Sequence, residues 1–262
     1  MRKLLIPFVT AGYPSKARCL DLLKACAAGG ADRIELGIPF SDPLADGPVI
    51  QATSQAALDG GTTLADAFAI AEKFRERPLL FMGYYNPILQ FGLPRFFGRA
   101  ARAGVAGAVV PDLPPEESAE ARAAASKAGL PLIFLCAPTT TDARVRLIDR
   151  LSRDFIYLVS MKGVTGAQLR RPAGHGGGSR ASQGVAGLSN GVGAFVKRVR
   201  RLTKRPLCVG FGIATPAQAR EVAAAADGVI VGSALLRIVR DGGTARDVER
   251  FVGSLRRAID RH

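Results

Sequence analysis

The sequence is poor in the residues that bind metals or form disulfides. Its 262 residues include no tryptophan, two histidines and four cysteines, none of them in a CxxC pair. His175, the one histidine in the body of the chain, lies in a glycine-rich stretch with no partner at metal-ligand spacing. We therefore predict no metal site, and we expect the cysteines to be buried free thiols. They are Cys19, Cys26, Cys136 and Cys208.

Long hydrophobic runs are also missing. No apolar run reaches the roughly 18 residues that a membrane-spanning helix needs. The N-terminal segment "MRKLLIPFVTAGYPS" has a short apolar part, contains Pro7 and lacks a small-x-small cleavage site, so it is not typical of a signal peptide. The pattern instead predicts a first strand that begins near residue 3. We expect a cytoplasmic protein with no contact to a membrane.

Acidic residues are scarce relative to basic ones: 22 Asp and Glu stand against 36 Lys and Arg, for a net charge of +14. Such a balance is compatible with nucleic acid, a membrane surface or an anionic substrate as the partner. The densest basic run, Val196–Arg205, carries Val196, Val199 and Leu202 at helical spacing, which predicts the solvated face of an amphipathic helix. No aromatic residues interleave with it, and this argues against nucleic-acid binding.

What the sequence does contain is a regular alternation of short apolar runs and helical stretches. Continuous apolar runs are typical of parallel strands covered by helices. Eight strand–helix units in 262 residues predict a single (β/α)8 barrel domain, residues 1–262, with a doubly wound open sheet as the alternative. The predicted strands are 4–11, 33–38, 79–85, 107–112, 130–137, 155–160, 206–212 and 228–233.

Helix boundaries and one irregular region follow from local composition. Ser15, Thr62 or Thr63, and Thr215 stand where helices should begin, and Gly recurs where helices should end, at 28–30, 102–104 and 127–129. The stretch 170–193 is rich in Gly and has no acidic residue, which predicts a long loop after the sixth strand.

In a barrel of this kind, active sites lie at the C-terminal ends of the strands. Glu35 interrupts the apolar run Ile34–Phe40. At the barrel mouth, apolar walls would raise its pKa and make it an acid and base; the alternative is an ion pair with a neighbour such as Arg33. Asp42 and Asp46 follow on the next loop, where "SDP" and "ADG" are also ordinary turn formers. From position alone the two aspartates are equivalent.

Two glycine turns late in the chain predict a phosphate site. "VGFGI" (209–213) closes strand seven and "VGSALL" (231–236) closes strand eight, the usual place for phosphate in barrels. Glycines let backbone N–H groups approach an anion closely, and "GVTG" (163–166) can add another. Close packing of the barrel wall is the alternative explanation.

Further polar residues lie at predicted strand ends. In a strand, a Tyr is usually half-buried packing with a hydroxyl partner, so each is a weaker candidate than Glu35. No strand-end Lys offers a convincing Schiff base, and Lys162 is the nearest. The polar candidates are Tyr84, Asn86, Asp112, Tyr157 and Ser160.

Six ordered motifs resemble one family. "PFVTAGYPS", "IELGIPFSDPLADGPVIQ", "MGYYNPILQFG", "VPDLPPEES", "YLVSMKGVTGA" and "VGFGIATPAQ" are similar to the α subunits of tryptophan synthase, from about residue 4 to beyond 235. The resemblance implies a (β/α)8 barrel that cleaves indole-3-glycerol phosphate to indole and glyceraldehyde 3-phosphate. It also implies an α2β2 complex in which indole passes to a β subunit that carries pyridoxal phosphate; the α subunit itself needs no cofactor.

The resemblance also assigns roles. Glu35, Asp46 and Tyr157 match the family's catalytic residues, with Glu35 as acid and base in a retro-aldol cleavage and an ionised Asp46 accepting the indole N–H hydrogen bond. Asp42 and Pro43 match a loop used for gating and contact with the β subunit. Thr165, in "GVTG", matches a residue that helps loop six close on Asp46. The indole pocket corresponds to Phe8, Tyr84, Leu135 and Phe211, and the phosphate cradle to Gly166, Gly212, Ile213, Gly232 and Ser233.

The chain departs from the family pattern in two places. An N-terminal helix that usually precedes strand one has no counterpart before Leu4, and "RRPAGHGGGSRASQG" lengthens loop six. The second departure bears on closure of the loop and on contact with a β subunit. Two other functions therefore stay open: a stand-alone lyase that releases indole, and a non-catalytic paralogue that binds indole or a glycerol phosphate and regulates a partner.

Overall fold

Parallel strands wound into a barrel form the centre of the molecule. The computed structural model describes residues 2–159, 186–210 and 212–261. Every strand pairing in this part of the chain is parallel, and the sheet order is β5-β4-β3-β2-β1-β9-β8-β7-β6. The strands are β1 Leu4–Thr10, β2 Ile34–Gly37, β3 Leu79–Met82, β4 Val105–Val109, β5 Leu132–Ile133, β6 Leu135–Cys136, β7 Ile156–Val159, β8 Leu207–Gly210 and β9 Gly228–Val231.

The sheet closes through one short segment. β5 pairs with β4 and β6 pairs with β7, and one residue, Phe134, separates the two. The Phe134 carbonyl accepts from the Tyr157 N–H at 3.1 Å. β5 and β6 are thus two halves of the fifth barrel strand, and the ends of the sheet order meet. This closure confirms the (β/α)8 barrel and excludes the doubly wound sheet, which leaves two free edges.

Helices cover the outside of the barrel, and the predicted caps are confirmed. The side chains of Ser15, Thr63 and Thr215 accept from backbone N–H groups at three helix starts. Gly30, Gly104 and Gly129 follow helices with φ of +95°, +80° and +73°, where other residues are strained. The helices are α1 Lys16–Ala28, α2 Pro48–Asp59, α3 Leu64–Lys73, α4 Tyr85–Phe91, α5 Leu93–Arg102, α6 Ala119–Lys127, α7 Asp142–Leu151, α8 Ala186–Arg200, α9 Pro216–Ala225, α10 Ser233–Arg240 and α11 Ala245–Ile259.

Several predicted boundaries differ from the structure, and two of the differences bear on the region around the site. The third strand was expected to run to residue 85, but β3 ends at Met82 and helix α4 begins at Tyr85, because the Asp112 carboxylate accepts from the Tyr85 N–H at 2.8 Å. A loop was predicted over 170–193, but helix α8 begins at Ala186.

The buried face of α8 comes from Phe195, Val196 and Val199, which follow the glycine-rich stretch and belong to the hydrophobic core. The amphipathic helix predicted around Val196 is confirmed, although it ends at Arg200, before Leu202. The loop residues 170–185 lie outside the described ranges.

Ion pairs and backbone contacts close the N-terminal end of the barrel. Arg256 on α11 is 7% exposed; its guanidinium donates to the Asp32 carboxylate at 2.8 Å and to the Lys3 carbonyl at 3.0 Å. Asp32 also accepts from the Leu5 N–H at 2.8 Å. One buried cation therefore ties the last helix to the starts of β1 and β2.

The described ranges contain no helix long and apolar enough to cross a membrane. Within the same ranges, no group of three or more His, Cys, Asp and Glu side chains is placed to hold a metal ion. All four cysteines are buried and free, as expected.

Candidate active site

Glu35 is a fully buried carboxyl group on β2, the second of the four residues of this strand. Its side chain is 0% exposed, and neither carboxyl oxygen has a hydrogen-bond partner among the described residues. Burial raises the pKa of Glu35 to about 8, with a further contribution from the charge of Asp46. An acid with this pKa is mostly protonated at neutral pH and gives up its proton readily, as a general acid and base requires.

The side chain of Glu35 points into the barrel. β1, β9 and β8 separate its strand β2 from β7, yet Glu35 acts electrostatically on Tyr157 of β7. Side chains on strands so far apart approach each other only across the barrel interior. A Cβ on Gly37, which shares the face of Glu35, would overlap the ring of Phe8, so Phe8 faces inward as well.

Asp46 lies on the loop between β2 and α2 and is held from a different strand. The Tyr84 hydroxyl, just beyond β3, donates to Asp46 Oδ2 at 3.0 Å. Asp46 Oδ1 is buried and has no partner in the described part of the chain. Burial raises the pKa of Asp46 to about 6, and the Tyr84 hydrogen bond opposes the rise. Of the two carboxyl groups, Asp46 is thus the one that ionises first as pH increases.

Tyr157 stands on β7, directly across the sheet from Leu135. It is 4% exposed, and burial together with the charges of Glu35 and Asp46 raises its pKa well above the usual value. The phenol therefore stays protonated and can serve as a hydrogen-bond donor. A Cβ on Gly210 of β8 would lie 2.5 Å from the Tyr157 hydroxyl, so a glycine is required to make room for it.

The two glycine turns lie side by side, because β8 and β9 are neighbours. Gly212 follows β8 with φ of +82°, a conformation that favours glycine. Gly232 precedes α10, which begins at Ser233 and has no side-chain cap, so its first N–H groups are available to an anion. The barrel-wall alternative applies in part to Gly232, where a Cβ would lie 3.3 Å from Phe8 Cβ.

The remaining predicted residues divide into three groups. Phe8, Leu135 and Ile213 are buried or half-buried near the barrel mouth, and Phe8 pairs in register with Glu35. Asp42, Asn86 and Asp112 are exposed and do not join the carboxyl pair. Outside the described residues lie Ser160, Lys162, Thr165, Gly166, His175 and Phe211.

Sequence reasoning missed two residues that shape the site. Gly210 admits the Tyr157 hydroxyl, and its signal was a glycine inside an apolar strand. Gln51 on α2 donates to the carbonyls of Asp46 at 2.9 Å and Pro43 at 3.4 Å. It thereby fixes the backbone of the loop that carries Asp46, and nothing in the local pattern marked it.

A closed parallel barrel places this chain in the class of (β/α)8-barrel enzymes, and the two carboxyl groups of unequal pKa are suited to acid–base chemistry. Comparison with known proteins identifies the family within this class. The model of the family described as "Tryptophan synthase alpha chain" matches residues 1–174 and 179–258. The chain belongs to the tryptophan synthase alpha chain family.

Individual relatives agree with this assignment. The tryptophan synthase alpha chain of Dehalococcoides mccartyi is 45% identical over 262 residues, covering 99% of this chain and 96% of the relative. That of Geobacter sulfurreducens is 45% identical over 264 residues, covering 98% and 94%. The crystal structure of the alpha subunit from Legionella pneumophila is 35% identical, with a TM-score of 0.85 over 99% of this chain and 94% of that one.

Proposed function

We propose that Glu35, Asp46 and Tyr157 catalyse the retro-aldol cleavage of indole-3-glycerol phosphate to indole and glyceraldehyde 3-phosphate. The family to which the chain belongs consists of carbon–carbon lyases of tryptophan biosynthesis. The observation that carries the residue assignment is the pair of buried carboxyl groups in unequal surroundings, with pKa values raised to about 8 and about 6. Near neutral pH one is an acid while the other is an anion.

Glu35 moves the protons. In its protonated form it delivers a proton to C3 of the indole. As the bond between C3 and the side chain breaks, the carboxylate of Glu35 takes the proton from the hydroxyl on the adjacent carbon, which becomes the aldehyde. Because both oxygens of Glu35 are free of partners in the described part of the chain, neither transfer has to break an existing hydrogen bond.

Asp46 stabilises the charge that this protonation creates. Adding a proton to C3 places positive charge on the ring nitrogen, and an ionised carboxylate that accepts the ring N–H stabilises it as it develops. Oδ1 is suited to this role, since it is buried and unbonded among the described residues while Oδ2 is occupied by Tyr84. Tyr157 donates a hydrogen bond and orients the substrate beside Glu35.

The rest of the substrate binds to apolar walls and to the glycine turns. Phe8 and Leu135 pair in register with Glu35 and Tyr157, respectively, so their side chains line the indole pocket next to the reacting groups; Phe211 and Tyr84 complete it. The phosphate binds at Gly212, Ile213, Gly232 and Ser233, together with Thr165 and Gly166. Remote binding at the phosphate fixes the orientation of the bond to be broken.

A β subunit is the partner that the family assignment implies. We propose that the loop after β2 meets it, because Leu44 of this loop is 80% exposed, next to the exposed Asp42. Pyridoxal phosphate belongs to that subunit, and the reaction here uses side chains alone. We also propose one domain over residues 1–262, in a cytoplasmic protein whose four cysteines stay reduced.

The test is an assay for indole released from indole-3-glycerol phosphate by the purified chain, with and without a β subunit. We expect release in both conditions and faster release with the β subunit. Indole in neither condition would overturn the assignment of the reaction. Equal, high rates in both would instead identify a lyase that acts alone.

A further inference from the structure

Tyr84 holds the loop that carries Asp46 through two hydrogen bonds at its hydroxyl, one with Asp46 and one with Ala45. Its hydroxyl donates to Asp46 Oδ2 at 3.0 Å and accepts from the Ala45 N–H at 3.0 Å. The side chain is 5% exposed, and its ring packs on Phe40 with the ring centres 5.4 Å apart. A residue that merely lined an apolar pocket would need none of these polar contacts.

The two partners of this contact belong to different parts of the barrel. Asp46 is on the loop after β2, whose backbone Gln51 also holds. Tyr84 follows β3 and caps α4, and the next residue, Tyr85, is fixed by the Asp112 carboxylate at 2.8 Å. The hydroxyl of Tyr84 is thus placed by the barrel, so its bond to Asp46 ties the catalytic loop to a rigid element.

We infer that Tyr84 is a positioning residue for Asp46: its hydroxyl occupies Oδ2, turns Oδ1 towards the indole N–H, and keeps the carboxylate ionised. The inference rests on the proposed function, because it concerns the same reaction. It goes further in separating the two oxygens of Asp46 and in giving Tyr84 a role beyond a wall of the indole pocket.

The charges around Asp46 make this donor important. Burial raises the pKa of Asp46, and Tyr84 is the group that opposes the rise. The charge of Asp46 in turn helps to raise the pKa of two groups that face it from the barrel, Glu35 on β2 and Tyr157 on β7. Burial and the charge of Asp46, with a smaller contribution from Asp112 beyond β4, raise the pKa of Tyr84 well above its usual value, so the phenol stays protonated. Loss of the Tyr84 hydroxyl would therefore raise the pKa of Asp46 further.

The first experiment is Tyr84→Phe with a pH profile of kcat/KM. Loss of a hydrogen bond to a charged group shifts the pKa of that group by about one unit or more. The acidic limb of the pH profile should therefore move to higher pH by about one unit. We expect kcat/KM to be about fivefold lower at pH 6, with most of the loss in kcat, and to come close to the wild-type value at pH 7.5. Tyr85→Phe is the matched control, since its hydroxyl makes no bond to Asp46 in the described part of the chain.

An unchanged acidic limb with a raised KM at every pH would overturn the inference and leave Tyr84 as a wall of the pocket. If the wild-type chain itself releases no indole, the proposed function fails instead. The inference is then decided by the second experiment, which needs no turnover.

The second experiment uses the wild-type chain, so it remains informative if the Tyr84→Phe variant does not fold. In an NMR titration of carboxyl and tyrosine ring carbons, Asp46 should titrate near pH 6, and the Cζ signal of Tyr84 should shift with the same midpoint. A common midpoint supports the hydrogen bond between Tyr84 and the Asp46 carboxylate. A Tyr84 signal that does not change as Asp46 titrates would overturn it.

Discussion

Replacing Glu35 by Gln should make the protein more stable while abolishing most of its activity. The substitution keeps the size of the side chain and removes its ionisation. Glu35 is 0% exposed and its carboxyl oxygens have no partner in the described part of the chain. Its ionised form is therefore disfavoured in the folded state, and the cost of burying it grows as pH rises.

The magnitude follows from the pKa. Folding raises the pKa of Glu35 from 4.5 to about 8, so between these values the folded chain binds the proton that the unfolded chain has released. Stability is consequently lost as pH rises from 4.5 to about 8. At about 1.4 kcal/mol per pH unit, the loss is about 3 kcal/mol at pH 7 and about 5 kcal/mol above pH 8. Because Gln does not ionise, the Glu35→Gln variant does not lose this stability as pH rises.

Two measurements check the reasoning. Urea unfolding at pH 5, 7 and 8.5 should show a growing advantage of Glu35→Gln over wild type, up to the values above. Indole release should fall by about 10²- to 10⁴-fold. Glu120→Gln, which alters an exposed Glu on α6, should give no such trend. A difference in unfolding free energy that did not change with pH, or a variant within tenfold of wild-type activity, would refute the assignment.

Three further predictions follow from the same geometry. Because Asp46 must be ionised and Glu35 protonated, kcat/KM should follow a bell with limbs near pH 6 and pH 8; a profile flat between pH 5 and 9 would contradict the pairing. Gly210→Ala places a methyl group 2.5 Å from the Tyr157 hydroxyl, so indole release should drop by at least tenfold in a chain that remains folded by circular dichroism, roughly 1.4 kcal/mol of barrier. Arg256→Ala removes a 7% exposed guanidinium that pairs with the half-buried Asp32, which keeps Arg2 and the Leu5 N–H as partners, so it should lower the free energy of unfolding by about 1 to 3 kcal/mol, measured by urea denaturation at constant pH.

The barrel was predictable because parallel strands covered by helices leave two separate signals in the sequence. Their residues are apolar on both faces, and helix caps such as Thr63 and Thr215 punctuate the chain between them. The predicted boundaries were wrong where a tertiary contact overrides the local sequence pattern. The strand-like run to residue 85 was cut short by Asp112, a residue 27 positions away, and α8 forms from a glycine-rich segment because its buried face packs on the barrel.

The site was predictable in part. A carboxylate inside an apolar strand made Glu35 a candidate without any relative, but Asp42 and Asp46 were indistinguishable until the family resemblance separated them. The structure gives the physical reason for that separation. Asp46 meets the Tyr84 hydroxyl, whereas Asp42 is exposed on the same loop. Such a contact depends on the register between β2 and β3, which no pattern within either strand specifies.

The two carboxyl groups illustrate how one barrel mouth can make an acid and an anion from similar side chains. Burial raises the pKa of both, so desolvation alone would leave them competing for the same proton. Three features separate them: Glu35 is more deeply buried, the charge of Asp46 raises its pKa further, and Tyr84 donates a hydrogen bond to Asp46 that Glu35 lacks in the described part of the chain. Together they hold the pKa of Asp46 below that of Glu35 and open the interval around pH 7 in which Glu35 carries the proton while Asp46 carries the charge.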